Sequence, residues 1–349
     1  MEVQQPHTPV EGRFELGDFK LQSGRVLPKA HIGYAAWGTL NTAGDNTIVY
    51  PTWYTGRHDS NAPFIGRGKA LDPDKYFIVV PDMFTNGLST SPSNCAPPCS
   101  GMDFPLVTPY DNVAAQYRLL TEHFGVKRLQ LAIGASMSGQ QAYHWGAAYP
   151  DFVERICSIC GSAKTSAHNW LYLNGYKTIM ESAEGWDGGR CATWPPRMLK
   201  AFTALATIMV FSSDWYRAQG FKQMGVDNLA DFLVMAEGFF SSWVPMDIYH
   251  QTLTWMTADI SAHPRFNGDL AAALRSIKAR ALIMPCVTDM YFSVADNQAE
   301  VAQMPNAELS VIHSIWGHVM CIPGISPADD AFVDGEVKKL LAHPVLNLR

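Results

Sequence analysis

Charge is scarce in this chain, and long apolar runs are missing altogether. Only 17% of its residues are Asp, Glu, Lys or Arg, and the net charge is −6. No Lys/Arg cluster supplies the basic footprint of a nucleic-acid binder or of a protein that lies on an anionic membrane. No stretch reaches the roughly 18 consecutive apolar residues of a transmembrane helix. The N-terminal MEVQQPHTPVEGRFELGDF is polar and lacks the apolar centre of a secretory signal. There is no HExxH, no paired C-x-x-C and no Walker loop, so no metal site, nucleotide site or other cofactor is expected. The seven cysteines are odd in number and sit mostly in apolar runs. That pattern fits a reducing, cytoplasmic compartment better than a disulfide framework.

Two cysteine pairs need separate reading. CSIC (Cys157 to Cys160) has the spacing of a redox or metal motif, but VERICSICGSA reads as a buried strand. Residues three apart on a strand face opposite sides, so these thiols are expected to diverge into the core. CAPPC (Cys95 to Cys99) reads as a loop pair of free thiols.

What is present is apolar material in short pieces. Hydrophobic residues make up 47% of the 349, enough for one large domain with an insertion. RFELGDFKLQSGRVLPKAHIGYAAWGTL mixes alternating runs with turn residues and reads as two or three antiparallel strands. NTIVYPTWY, KYFIVVPD, RLQLAIGAS and RICSICGSA then read as buried parallel strands, separated by helix-length stretches such as TPYDNVAAQYRLLTEHFGV. This alternation predicts an α/β fold with a mostly parallel sheet. From about residue 165 to 266 strand-like runs vanish and Trp, Met and helix formers accumulate, which predicts a helical insertion. The α/β texture returns with ARALIMPCVTD (strand), SVADNQAEVAQMP (helix), AELSVIHSIWGH (strand) and a closing helix near AFVDGEVKKLLAH.

The segment LAIGASMSGQQAYHWGAAYPD holds two serines, Ser136 and Ser138. A nucleophile elbow is a sharp strand-to-helix turn that lifts one hydroxyl out of the sheet, and the positions two before and two after that serine must be small. Ser136 is flanked in this way by Gly134 and Ser138, whereas Ser138 would have Gln140 two places on. Ser136 is therefore the expected nucleophile, with an apolar strand before it and a helix after it. Its partners should follow in chain order. Asp289 ends the ALIMPCVTD run and His318 follows the last apolar run, giving Ser136, Asp289 and His318 as a proton relay. His313, expected inside a strand, and His144, expected in the helix after the elbow, read as structural histidines. Asp296 falls in an expected helix and Asp259 in the insertion. The oxyanion donors are expected to be the backbone amides of Met137 and of Trp53, with Tyr54 the next choice for the second.

GRGKALDPDKYFIVVPD, FPLVTPYDNVAAQYRLL, GASMSGQQAYHWGAAYPDFVERI, TDMYF and IWGH span most of the chain outside the insertion. Together they resemble the homoserine O-acetyltransferase-like branch of the α/β-hydrolase superfamily. The resemblance implies an eight-stranded core over residues 1–164 and 267–349, a helical lid over 165–266, the triad above, and acyl-enzyme chemistry. Members of that branch move an acetyl group from acetyl-CoA to homoserine, and relatives hydrolyse simple esters. Where the transferases carry aspartate after the histidine, this chain has Val319, and the loop after the fourth strand reads GLSTSPSN. A lid rich in Trp and Met favours an apolar substrate, with Tyr54, Trp243 and Val319 expected against it. The expected function is hydrolysis of a carboxylic ester or related acyl group; the alternative is O-acyl transfer from an acyl-CoA donor with the same triad. The expected partner is a small-molecule acyl substrate. A homodimer is compatible with the sequence; nucleic acid and membrane are not expected.

Overall fold

The computed structural model describes residues 8–186 and 191–344, so the first seven residues of the polar N-terminus lie outside it. The opening segment forms two strands, β1 (Val10–Lys20) and β2 (Val26–Trp37), paired antiparallel. Six more follow: β3 (Thr47–Val49), β4 (Phe77–Pro81), β5 (Leu129–Ala135), β6 (Arg155–Ile159), β7 (Arg280–Met284) and β8 (Ala307–Leu309). They complete an eight-stranded sheet in the order β1-β2-β4-β3-β5-β6-β7-β8. β2 meets β4 antiparallel, and every pairing from β4 onward is parallel.

The central strands are apolar on both faces because both faces are covered. Alternation then sorts their side chains into two cores. Ile48, Leu131, Ile133, Cys157, Leu282 and Met284 enter one; Val49, Ala132, Ile156, Ala281 and Ile283 enter the other. The second core takes Val113 of α1 (Pro109–Arg118) and Tyr143 and Trp145 of α2 (Met137–Ala148). Helix α1 starts where it does because Thr108 accepts from the Asp111 amide, Asp111 accepts from the Thr108 amide, and Pro109 opens the first turn.

Between β6 and β7 run α3 (Ala167–Glu181), α4 (Pro196–Val210), α5 (Ser213–Arg217), α6 (Leu229–Ser241) and α7 (Pro245–Met256). Their buried side chains, Tyr172, Tyr176, Phe202 and Trp255 among them, continue the first core over the sheet. A smaller cluster of Phe211, Trp215, Phe221 and Phe232 lies within the helical segment and reaches Val319. Helices α8 (Leu270–Arg275), α9 (Val294–Val301) and α10 (Pro327–Ala342) belong to the returning α/β part.

Two boundaries differ from the sequence reading. β7 stops at Met284, before Pro285, so Asp289 stands on a loop rather than at a strand end. β8 covers three residues only, so His313 lies outside it and is exposed. Beyond Leu309 the pairing survives only in pieces: the Ser310 and Ile312 amides donate to Ile283 O and Pro285 O, and a single parallel bridge joins Cys286 to Ile312, while Ile315 is exposed.

Candidate active site

All the expected catalytic side chains follow the carboxyl ends of parallel strands, where open α/β sheets place their ligands. The chain leaves β3 for β4 on one side and builds β5 on the other. The loops after β3 and β5 therefore open onto one crevice.

Ser136 sits on the turn between β5 and α2 with φ 57° and ψ −128°. That backbone is strained for a side-chain-bearing residue and persists only where the surroundings enforce it. Here the Ser136 amide donates to Ile159 O at 2.9 Å, and its carbonyl accepts from the Gln140 amide at 3.1 Å. The steric rule read from the sequence is met in space: a Cβ on Gly134 would lie 2.1 Å from the Ser138 backbone. Ser138 is not presented to a ligand. Its hydroxyl is buried and donates to Pro51 O at 2.6 Å.

That bond also positions the loop after β3. Gln141 of α2 donates to Thr52 O at 3.1 Å, so the first turns of α2 hold the carbonyls of residues 51 and 52, and Trp53 follows against the elbow. Met137 opens α2, so its amide has no acceptor within the helix. Among the described residues, the Trp53 amide meets no acceptor either. Both expected oxyanion donors thus remain available beside Ser136. The Tyr54 amide, the second choice, likewise meets no acceptor among the described residues, and its hydroxyl is 3.0 Å from that of Thr252 on α7.

The structure brings Ser136, Asp289 and His318 together. His318 Nε2 lies 2.8 Å from Ser136 Oγ, and its Nδ1 lies 2.8 Å from Asp289 Oδ2. The other carboxylate oxygen of Asp289 accepts from the amides of Tyr291, at 2.7 Å, and Phe292, at 3.3 Å. Thr288 ties the two loops together. Its hydroxyl donates to Ser314 O at 2.7 Å and accepts from the Gly317 amide at 3.1 Å. Burial alone would push the imidazolium of His318 down; the Asp289 carboxylate, with Cys321 beside it, outweighs burial and holds its pKa well above the ordinary 6.5. His144, by contrast, is pushed down to about 4 by burial and stays neutral inside α2.

Ser136 and His318 open onto a cavity of about 380 Å³. Its wall is almost wholly apolar: Trp53 and Tyr54 from the loop after β3, Val210 and Phe211 at the end of α4, and Phe239 and Phe240 of α6 are among the residues that face it. Val319 also lines it, as the sequence reading expected. Trp243 does not. Its ring is covered by the Arg57 guanidinium at 4.4 Å, and its carbonyl accepts from Trp194 Nε1 at 2.9 Å. It cements helix packing instead of meeting a ligand.

Sequence reasoning missed Tyr291 and Phe292, whose rings lie 4.7 Å and 5.5 Å from that of His318. The signal was in hand, since both belong to the TDMYF stretch. It also missed Tyr176, which stacks on Tyr54 at 6.3 Å. The expectation for CSIC needs correction as well. Cys157 and Cys160 enter the same core, because β6 ends at Ile159 and Cys160 takes a left-handed backbone with φ 47° that re-aims its side chain. All the cysteines named above are free.

A family model described as alpha/beta hydrolase fold matches residues 22–179. An ethyl acetate hydrolase of Pseudomonas veronii is 34% identical over 98% of this chain and 98% of its own. The chain belongs to the alpha/beta hydrolase fold family. The crystal structure of an acetylester hydrolase from Corynebacterium glutamicum superposes on this hydrolase-fold enzyme with a TM-score of 0.92, at 34% identity, over 96% of both chains. A homoserine O-acetyltransferase of Chloroherpeton thalassium is 31% identical over 85% of this chain and 81% of its own. The relatives of this alpha/beta hydrolase thus include both esterases and the acetyltransferase branch that the sequence resembles. Among its described residues, no helix is long and apolar enough to cross a membrane.

Proposed function

We propose that this enzyme hydrolyses carboxylic esters with an apolar non-reacting part, through an acyl-enzyme on Ser136. Ser136 Oγ attacks the ester carbonyl while its proton passes to His318 Nε2, and Asp289 holds the imidazole in register. The amides of Met137 and Trp53 receive the developing oxyanion. The imidazolium then protonates the departing alcohol. A water molecule, deprotonated by the same nitrogen, releases the acid and restores the serine.

The observation that carries this reading is the unbroken hydrogen-bonded line Asp289–His318–Ser136 at the wall of an apolar cavity. The cavity's 380 Å³ corresponds to about a dozen water volumes at ~30 Å³ each, more than an acetyl group fills. The names of the similar hydrolases favour a short acyl group, and the remaining space then belongs to the alcohol part. Two p-nitrophenyl and alkyl ester panels test this, one varying the acyl group and one the alcohol. Tolerance of large alcohols with a preference for short acyl groups is expected; the reverse order would reject the assignment of the cavity.

The likeness to a homoserine O-acetyltransferase favours a second reading, transfer of the acyl group from acyl-CoA to an acceptor. Val319 and its apolar neighbours offer no charged group for a zwitterionic acceptor, so hydrolysis ranks first. Partition decides: with a donor alone, hydrolysis yields free acid, whereas an obligatory acceptor would make the transfer reading the right one.

A further inference from the structure

Two thiols that the proposed reaction does not use stand against its base. Cys160 follows the end of β6, and Cys321 follows His318 by three residues in the turn Gly317–Cys321; both are buried and free. Among the described residues, Cys160, His318 and Cys321 stand out: a donor atom of each lies within 4.8 Å of the donors of the other two. Cys321 Sγ is 3.9 Å from His318 Nε2. Met320 Sδ, a further soft atom, is 3.6 Å from Cys160 Sγ.

A tetrahedral zinc ion, with bonds of about 2.3 Å to sulfur and about 2.0 Å to nitrogen, holds such donors roughly 3.5–3.8 Å apart. The three side chains need to close by about an ångström at most, which small side-chain rotations supply. Two sulfurs and an imidazole form a soft donor set that prefers zinc-like ions to magnesium or calcium. Cys321 lines the cavity, which gives an ion a route of entry. Cys157, three residues earlier on β6, joins no such group among the described residues.

We propose that Cys160, His318 and Cys321 form an inhibitory site for a soft divalent cation such as Zn²⁺ or Cd²⁺. On binding, each ligating thiol gives its proton to solvent, and Nε2 commits its lone pair to the metal. That lone pair is the one that would receive the Ser136 proton, so bound metal and ester turnover exclude each other. The inhibitory part of the proposal rests on the reading of His318 as the base; the binding part does not.

The full chain carrying Ser136→Ala, titrated with Cd²⁺ alone, tests binding without turnover. Ultraviolet sulfur-to-cadmium charge-transfer absorption that saturates at one ion per chain is expected, and its loss in Ser136→Ala/Cys160→Ala/Cys321→Ala. With the unmodified chain, Zn²⁺ should abolish ester hydrolysis, EDTA should restore it, and Mg²⁺ should have no effect. Cys160→Ala and Cys321→Ala should each raise the half-inhibitory Zn²⁺ concentration at least tenfold, compared with their own metal-free rates. Absence of the absorption overturns the site. Inhibition unchanged in both cysteine variants does the same. Absorption without inhibition overturns the inhibitory role alone; the reading of His318 as the base stands or falls separately, with the turnover of His318→Ala.

Discussion

At the scale of single residues, the chemistry converges on one hydroxyl. Ser136→Ala and His318→Ala should each cut kcat by ~10⁴-fold or more, as removal of one member of a cooperating triad does, with the melting temperature little changed. Labelling by a fluorophosphonate should vanish in Ser136→Ala and survive in Ser138→Gly, whose only loss is the bond to Pro51 O. A label that tracks Ser138 would place the elbow in the wrong register. The pH profile carries a second test. Only unprotonated His318 accepts a proton, and its pKa is raised above 6.5, so kcat/KM should climb as pH rises through that higher value. Asp289→Asn removes the charge that sustains the shift; the rate should fall and the acid limb should move to lower pH. Linkage has the same sign: the stabilisation from this pair is complete below about 6.5 and fades as pH passes the raised value. The serine was legible in the sequence because its constraint is local, two small neighbours at fixed spacing. Trp243 was not legible, because an aromatic letter does not say whether its ring faces a cavity or an arginine.

At the scale of elements, buried polar anchors hold the loops that hold the site. Glu300 of α9 accepts from Tyr143 on α2 at 2.8 Å, from the Ala163 amide after β6 at 2.8 Å, and from Asn297 at 2.9 Å. Burial pushes its pKa up to about 7 even against these three donors. A folded-state value above the ordinary 4.5 means the folded chain holds the proton more firmly. Stability from this group should therefore be greatest below about pH 4.5 and decline by ~3 kcal/mol as pH rises to about 7. Urea denaturation at pH 5 and pH 8 checks this: Glu300→Gln should flatten the dependence, and Glu300→Ala, which strands three buried donors, should cost about 3 kcal/mol at pH 5 and distinctly less at pH 8, where the ionised wild-type carboxylate has already lost its advantage. The strands themselves were largely legible from short apolar runs between turns. Their ends were not: beyond Met284 and Leu309 the pairing shrinks to an isolated bridge between Cys286 and Ile312, and a broken ladder leaves the same hydrophobic trace as a continuous one. Asp289 was found despite that, since a loop continuing from a strand end still emerges on the same edge of the sheet.

At the scale of the whole molecule, the helical segment between β6 and β7 supplies most of the cavity wall, and its apolar character was readable from composition alone. Which residues face inward was not, because that depends on how α4 and α6 pack across the sheet. Ala236 faces the cavity from α6, so Ala236→Trp should shorten the longest ester alcohol accepted while leaving turnover of the smallest substrates nearly unchanged; uniform loss across the panel would mean the cavity is not where the alcohol lies. Gly317, with φ 69°, lies so close beneath the end of α4 that a Cβ would come within 2.8 Å of Val210 O and 2.7 Å of the Ser212 amide. Its neighbour in the chain is the imidazole. The roof of the cavity and the proton acceptor therefore share one mechanical joint. A guest bulky enough to lift that roof also stretches the 2.8 Å gap across which the proton must hop, so oversize substrates should be penalised in kcat and not in KM alone.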